Sequence, residues 1–160
     1  PVLIKLNSYL ANLKGVRNGI EVETDLLGTL HIAGSGAGQE ATASGLISDL
    51  VHLANSNLNF SSNEIEIIQE IIDFSSLSFQ YYFYIEAEDI PGVMASITSM
   101  FAQKKIGIES IVQKENLKDN RVPIVIISDP FMEKNHDELV KNFLNLNSVN
   151  KVRSIRIESY

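Results

Sequence analysis

The spacing of apolar residues predicts a β-hairpin and a helix in the first third of the chain. Residues 16–23 alternate apolar with polar positions, residues 24–28 supply a turn, and residues 29–33 form a second extended run. A glycine-rich loop, GSGAG, then precedes a segment whose apolar residues recur every three or four positions, as on one face of a helix. We expect Thr42 or Ser44 to cap this helix. Its apolar positions are Leu46, Ile47, Leu50, Val51, Leu53 and Ala54.

A polar segment separates this part from the rest of the chain. Residues 55–63, NSNLNFSSN, are rich in Asn and Ser and have no apolar period, so we interpret them as a domain boundary. Residues 64–74, EIEIIQEIIDF, fit a short helix by the spacing of their isoleucines and a strand by their isoleucine content. Both interpretations stay open.

From residue 79 onward the pattern predicts the order strand, helix, strand, strand, helix, strand. On the first strand, Phe83, Ile85 and Ala87 alternate with polar or aromatic neighbours, as expected of a strand with one covered face. This order is typical of an antiparallel sheet with both helices on one side, an α+β fold of the ferredoxin-like βαββαβ type. The predicted strands are 81–88, 106–114, 121–128 and 151–159, and the predicted helices are 91–104, with Val93, Ile97, Met100 and Phe101 on its apolar stripe, and 137–146, with Leu139, Phe143 and Leu146.

Composition argues against several classes of function. A net charge of −7, with no long Lys/Arg run, argues against nucleic-acid and anionic-membrane partners. The chain contains no cysteine, and its three histidines lack ligand spacing, so we expect neither a disulfide framework nor a metal site. No apolar run reaches the roughly 20 residues that cross a bilayer. We therefore predict a soluble, cytoplasmic protein.

Two groups of side chains are candidates for binding or catalysis. Glu21, Glu23 and Asp25 border the hairpin turn, where charged residues are usually a solvated edge, so we predict no catalytic residue among them. Tyr82 and Tyr84 lie on the outward side of their strand, and outward aromatic pairs often pack against another chain. We therefore expect a homodimer.

The turn EDIPG at 88–92 has two possible uses. Asp89, Pro91 and Gly92 supply an acceptor for free helix N–H groups, a fixed φ and a residue without Cβ, which a sharp change from strand to helix needs. The same groups can also meet the carboxylate and amino group of a small ligand. Local chemistry alone favours the purely structural use, because such caps are common.

Residues 80–158 resemble an ACT domain, a small regulatory module that typically binds an amino acid at an interface between domains. The resemblance rests on Asp89-x-Pro91-Gly92, the amphipathic helix behind it, the segment IGIESIVQK and the βαββαβ order. It implies that effector contacts come from the turn and from the start of the second strand. The implied effector-binding residues are Asp89, Ile90, Pro91, Gly92, Val93, Gly107, Ile108, Glu109 and Ser110.

Residues 10–54 are similar to the segment of homoserine dehydrogenase that precedes its C-terminal ACT domain. The shared features are the Leu-Ala-x-x-x-Gly-Val-x-Asn opening, the hairpin that ends in Gly-x-Gly-Ala-Gly, and the Thr-Ala-Ser start of a helix. The chain departs from the family at 33–36, where an aromatic residue followed by Gly-Pro-Gly is usual, and at Ala41, where the family has proline.

This resemblance implies an organisation for the chain. Residues 1–54 are expected to be the end of a catalytic and dimerisation region, 55–78 a linker and 79–160 an ACT regulatory domain. Homoserine dehydrogenases use NAD(P) to interconvert homoserine and aspartate semialdehyde, with a nucleotide-binding domain and catalytic residues expected upstream of Pro1. We therefore expect a C-terminal fragment that holds no cofactor and is inactive alone. Gly36 and Gly38 are expected either to help close the cofactor site of the whole enzyme or to form only a helix-entry turn.

Three functions stay open at this point. The first is an amino-acid-sensing and dimerising region of homoserine dehydrogenase, with threonine as the expected effector. The second is a non-catalytic regulatory subunit that binds a branched-chain amino acid, similar to the one that serves acetolactate synthase. The third is an ACT module that dimerises and binds no ligand.

Overall fold

The computed structural model of the chain describes residues 1–55, 71–114 and 120–158. The chain forms two compact units. The sheet unit combines Pro1–Ile4 with Glu70–Tyr160, and the hairpin unit is Lys5–Gln69. In chain order, the hairpin unit is therefore an insertion between the first four residues and the remainder of the sheet unit.

The sheet unit contains the predicted βαββαβ order. Its strands are β1 (Val2–Leu3), β4 (Ser78–Glu88), β5 (Ile108–Gln113), β6 (Arg121–Ser128), β7 (Phe131–Met132) and β8 (Val149–Ile157), and its helices are α2 (Val93–Gln103) and α3 (His136–Leu144). The strands lie in the order β1-β8-β4-β6-β5, and β7 pairs with β4. Apart from β1 and β7, the first strand lies between the fourth and the third, with the second at the edge, and all these pairs are antiparallel. The predicted ferredoxin-like fold, the fold of ACT domains, is confirmed.

Alternation along β4 places the core on one side of the sheet. Phe83, Ile85 and Ala87 are completely buried, whereas Tyr82 and Tyr84 lie on the opposite face and are partly exposed. The predicted alternation is therefore confirmed. Covering an apolar side chain of this size stabilises a fold by roughly 1.5–3 kcal/mol, so this stripe fixes the face on which the helices pack.

The two helices cover that face with the residues predicted from their spacing. Phe83 packs edge-on against Phe101 of α2 and against Phe143 of α3, with ring centroids 5.6 and 5.9 Å apart. Ile97 and Leu139 are fully buried beside them. The helix α2 begins at Val93 and not at the predicted Pro91, because Pro91 and Gly92 form the preceding turn.

The edge strand β1 was not predicted. It pairs in parallel with β8, with Val2 opposite Arg156 and Leu3 opposite Ile157. The N–H of Glu158 also donates to the carbonyl of Leu3 at 2.8 Å. A two-residue strand has no readable apolar period, so this pairing lies outside what local pattern can indicate.

The hairpin unit contains the predicted hairpin and helix. Strands β2 (Arg17–Thr24) and β3 (Gly28–Ser35) pair antiparallel with Ile20 opposite Ile32, and helix α1 runs from Gln39 to Asn55. The prediction that Thr42 or Ser44 caps the helix is wrong, because both residues lie inside it. Thr42 donates its hydroxyl to the carbonyl of Gly38 at 3.0 Å, a bond within the first turn.

The apolar faces of this unit are exposed. The α1 positions Leu46, Leu50 and Leu53 are more than half exposed, as are Ile20 and Ile32 on the hairpin. Exposed apolar stripes of this extent usually mark surfaces that another part of a protein covers. Asn55, the first residue of the predicted boundary, ends α1, and the remainder of that boundary lies outside the described residues. Most of the ambiguous segment 64–74 lies outside them as well, and its last residue, Phe74, begins a 3-10 turn, Phe74–Ser76.

Candidate functional site

The strand-to-helix turn has the geometry that its sequence requires. Gly92 has φ +95°, a value that side chains with a Cβ adopt only with strain, and it is the N-cap of α2. Its carbonyl accepts from the N–H of Ser96 at 2.9 Å and from the hydroxyl of Ser96 at 3.0 Å. The N–H of Asp89 donates to the carbonyl of Asn120 at 2.9 Å, which ties the turn to the start of β6.

The turn presents four of its five predicted residues to solvent. Asp89, Ile90, Pro91 and Gly92 are exposed, whereas the side chain of Val93 lies in the core. A ligand at this turn would therefore meet an exposed carboxylate and the N-terminal end of α2, whose free N–H groups carry partial positive charge.

The second predicted segment, Gly107–Ser110, lies at the start of β5. The carbonyl of Gly107 accepts from the N–H of Asp129 at 2.9 Å, and the carboxylate of Glu109 accepts a hydrogen bond from the side-chain amide of Gln80. Gly107 and Glu109 are exposed, while Ile108 and Ser110 are half-buried. Ile108 packs against the core.

Within one copy the sheet keeps the two segments apart. Ser110 pairs with Ile127, which also pairs with Tyr82 in the first half of β4. Asp89 follows the other end of the same strand. Six residues of strand separate Tyr82 from Glu88, which corresponds to ~20 Å at about 3.3 Å per residue. A small amino acid cannot touch both segments of one chain.

The open face of the sheet carries a shallow groove of 390 Å³. Its lining combines two tyrosine rings with a guanidinium group, and consists of Tyr82, Tyr84, Arg153, Ser154 and Ile155. The hydroxyl of Tyr84 donates to Glu86 at 3.3 Å, and Glu86 forms an ion pair with Lys151 at 3.7 Å. The sequence pattern identified the tyrosines, but Arg153 joins them only through the pairing of β4 with β8.

In the hairpin unit, Gly36 and Gly38 frame the entry into α1. The N–H of Gly36 donates to the carbonyl of Val16 at 3.0 Å, and a Cβ on Gly36 would lie 2.5 Å from Cγ of Asn18. Gly38 has φ +112°. The local turn therefore favours glycine at both positions, and their predicted role beside a cofactor site stays a prediction.

The hairpin carboxylates pair across the strands. His31 Nε2 lies 2.8 Å from the carboxylate of Glu21, and the ring of Tyr9 stacks on the His31 ring with centroids 4.2 Å apart. The hydroxyl of Thr29 donates to the carboxylate of Glu23 at 2.7 Å. In the ranges that the structure describes, no group of three His, Asp or Glu side chains is placed to hold a metal ion. Across the same ranges, no helix combines the length and apolar character needed to span a bilayer.

Sequence reasoning missed a polar cluster beneath α3. Tyr81 donates its hydroxyl to the Glu133 carboxylate, and the Arg156 guanidinium meets the same carboxylate through two nitrogens, with Nε at 2.9 Å. His136 stacks on Tyr81 at 4.4 Å and lies 2.8 Å from the hydroxyl of Ser154. The cluster joins three segments that are far apart in sequence, around Tyr81, Glu133 and Arg156, so no local spacing could have indicated it.

The cluster shifts the pKa values of its members in directions that favour the observed pairing. The Arg156 guanidinium lowers the pKa of Glu133, and Glu133 in turn raises the pKa of Arg156. Burial, reinforced by the Glu133 carboxylate, raises the pKa of Tyr81 well above its ordinary value. Tyr81 is therefore a neutral donor, and the ion pair persists over a wide pH range.

Comparison with known proteins finds homoserine dehydrogenases that are similar to this chain. The family model "Homoserine dehydrogenase" matches residues 1–51. The homoserine dehydrogenases of Pseudomonas aeruginosa and Helicobacter pylori are 30% and 31% identical to this chain over 169 and 162 residues. Each alignment covers 99% of this chain but only 39% and 38% of those proteins, so the chain spans about two-fifths of their length.

A solved structure extends the match to three dimensions. The crystal structure of a homoserine dehydrogenase from Thiobacillus denitrificans superposes with a TM-score of 0.79 at 31% identity, over 99% of this chain and 38% of that one. The family model matches only residues 1–51, whereas the relatives and the solved structure cover both the hairpin unit and the sheet unit, in agreement with the predicted C-terminal part of such an enzyme. In sequence and in three dimensions, the chain is therefore similar over nearly its whole length to the C-terminal part of homoserine dehydrogenases.

Proposed function

We propose that this chain is the C-terminal, amino-acid-sensing part of a cytoplasmic homoserine dehydrogenase, with residues 79–160 as its ACT domain, 55–78 as the linker and 1–54 as the end of the catalytic and dimerisation region. The whole enzyme would interconvert homoserine and aspartate semialdehyde with NAD(P). The observation that carries the proposal is the exposed Asp89–Gly92 turn on a ferredoxin-like fold in a chain similar to homoserine dehydrogenases.

The proposed effector is threonine. Its ammonium group suits the Asp89 carboxylate and its carboxylate suits the N-terminal end of α2. Isothermal titration of the chain with threonine tests this, with methionine, lysine, isoleucine and valine as comparisons. We expect saturable threonine binding that Asp89→Ala abolishes, whereas Glu88→Ala, which removes the neighbouring exposed carboxylate, leaves it intact.

The comparisons in that titration separate the other two functions. Binding of valine in place of threonine would favour the branched-chain regulatory subunit. Absence of binding by all five amino acids would contradict amino-acid sensing by this chain and leave a dimerising module.

The ~20 Å between the two predicted segments supports a site shared by two copies. We expect the turn of one copy and Gly107–Ser110 of another to enclose one effector, in a homodimer whose contact includes the open face with Tyr82 and Tyr84. Light scattering should report a dimer. A strict monomer at high concentration would contradict this arrangement.

A mixing experiment tests the shared site directly. Asp89→Ala and Ser110→Glu each remove one half of it, so each variant alone should fail to bind threonine. A mixture exchanged into mixed dimers should regain roughly a quarter of the sites, because half of the dimers are mixed and each holds one intact site. Absence of any recovery, in a mixture shown to contain mixed dimers, would place the whole site within one copy.

The same proposal gives Gly36 and Gly38 a role beside the NAD(P) site of the whole enzyme, although the chain alone should hold no cofactor. Their tight backbone contacts with Val16 and Thr42 support a rigid loop at the entry into α1. Since the chain spans about two-fifths of its relatives, we expect no dehydrogenase activity from it. Homoserine-dependent formation of NADPH by the 160-residue chain would contradict this.

A further inference from the structure

Both chain connections of the sheet unit meet at Arg156. On the backbone, Arg156 is the partner of Val2 in the pairing of β8 with β1. On the side chain, its guanidinium lies 5.0 Å from the ring centroid of Phe74 and 5.5 Å from that of Phe79. One residue therefore contacts the segment that leads into the hairpin unit and the segment that leads out of it.

The guanidinium is held in place by groups of the sheet unit. Glu133 binds it through both carboxylate oxygens, a geometry that a lysine could not reproduce. Glu133 also accepts from Tyr81, and its own N–H donates to the carbonyl of Leu77 at 2.8 Å. The carboxylate side chain is only 14% exposed, so water competes weakly for these bonds.

The position of these segments in the chain gives the contacts of Arg156 a wider effect than local packing. The hairpin unit begins at Lys5, two residues after β1, and ends at Gln69, a few residues before Phe74. Any change that shifts β8 at Arg156 therefore acts on both connections.

We propose that Arg156 is a coupling residue that fastens both connections of the hairpin unit to β8, so that they are held or released together. Arg156, Glu133, Tyr81, Phe74 and strand β1 form this Arg156 junction. The ion pair and the stacked rings supply the fastening, and the proposal concerns anchoring, so it holds whether or not the chain binds an amino acid.

Release of the two segments can be measured separately in the same chain. A lysine-specific protease reports on β1 through cleavage after Lys5, with cleavage after Lys14 in the hairpin unit as an internal reference. Hydrogen exchange followed by mass spectrometry reports on residues 71–77. We expect Arg156→Met to raise the Lys5 to Lys14 cleavage ratio and the exchange at 71–77 together, each by about tenfold.

Two further variants make the result decisive. Arg153→Met removes a guanidinium from the outer face of the same strand and should change neither readout. Phe74→Ala removes a half-exposed ring that packs on Arg156 and leaves the ion pair intact, and coupling predicts faster cleavage after Lys5 as well as faster exchange at 71–77.

Some results of these experiments would overturn the proposed coupling. If Arg156→Met loosens only one segment, or neither, while β4 and β6 keep their exchange protection, the coupling is overturned. If that variant unfolds the sheet unit, Phe74→Ala decides: a change confined to residues 71–77 overturns the proposal, and a change in both segments supports it.

Discussion

The carboxylate of Asp129 occupies the space that a side chain on Gly107 would need. A Cβ on Gly107 would lie 2.7 Å from Cγ of Asp129 and would overlap its Oδ2. The backbone of the two residues is also joined, because the N–H of Asp129 donates to the carbonyl of Gly107 at 2.9 Å. Glycine is therefore required at 107 by close approach and not by its backbone angles. The start of β5 and the end of β6 are locked together at this point.

We predict that Gly107→Ala lowers the free energy of unfolding of the sheet unit by about 1–2 kcal/mol, because the Asp129 side chain must rotate away. Urea unfolding followed by near-ultraviolet circular dichroism measures this. In an Asp129→Ala background the same change should have little effect, since the obstructing carboxylate is absent. An equal loss in both backgrounds would show that the obstruction lies elsewhere.

The opening of α2 gives a second prediction. Gly92→Ala places a Cβ at φ +95°, where space is open but the backbone conformation is strained, so we expect a loss of about 1–2 kcal/mol. Gly92→Asn should lose less, because asparagine tolerates positive φ better than alanine. The measurement is urea unfolding of the three proteins side by side. Equal stability of the alanine variant and the parent would mean that the turn relaxes to another conformation.

The features that were predicted correctly are those that depend on the spacing of residues close together in sequence. The period-two burial of Phe83, Ile85 and Ala87 and the period-four stripe of Val93, Ile97 and Phe101 are both present, since each element is stabilised by covering one apolar face. The hairpin with its turn between residues 24 and 28 was predicted from the same kind of pattern. These features fix the fold class, because few topologies bury such elements in this order.

The rest depends on partners distant in sequence. The pairing of Val2 with Arg156 and the contact of Tyr81 with Glu133 bring together residues separated by most of the chain or by half of the sheet unit. The helix start at Gln39 was missed because threonine and serine inside a first turn can bond to its carbonyls as well as cap it, as Thr42 does. The separation of Asp89 from Gly107 also follows only from strand register.

The Glu133–Arg156 ion pair predicts how stability depends on acid. The Arg156 guanidinium lowers the pKa of Glu133 from its ordinary value of 4.5, so the folded state holds this proton less tightly than the unfolded chain. The stabilisation by the ionised Glu133 is complete above pH 4.5 and is lost as the pH falls through the lowered pKa of the folded state. At neutral pH, Glu133→Gln should lower the free energy of unfolding by about 1–3 kcal/mol.

The pH dependence distinguishes this ion pair from simple packing. The difference in stability between the parent and Glu133→Gln should shrink as pH falls from about 6 to about 3, because the parent loses the ionised carboxylate that the variant already lacks. Urea titrations at several pH values measure it. A difference that stays constant over this range would mean that Glu133 stabilises the fold by packing alone.

Tyr81 gives the corresponding prediction on the alkaline side. Burial, with the nearby Glu133 carboxylate, raises its pKa above the ordinary 10, so the folded state keeps the phenol proton after the unfolded chain has released it. The neutral phenol therefore stabilises the fold fully below pH 10, and this contribution is lost only as pH rises through the raised folded pKa. The ionisation of Tyr81 is isolated by subtracting the tyrosinate absorbance titration of the Tyr81→Phe variant from that of the parent. We expect this difference to show no ionisation until well above pH 10, at or just before alkaline unfolding. Ionisation at or below pH 10 in the folded protein would show that the hydroxyl is open to solvent and that Glu133 is held by Arg156 alone.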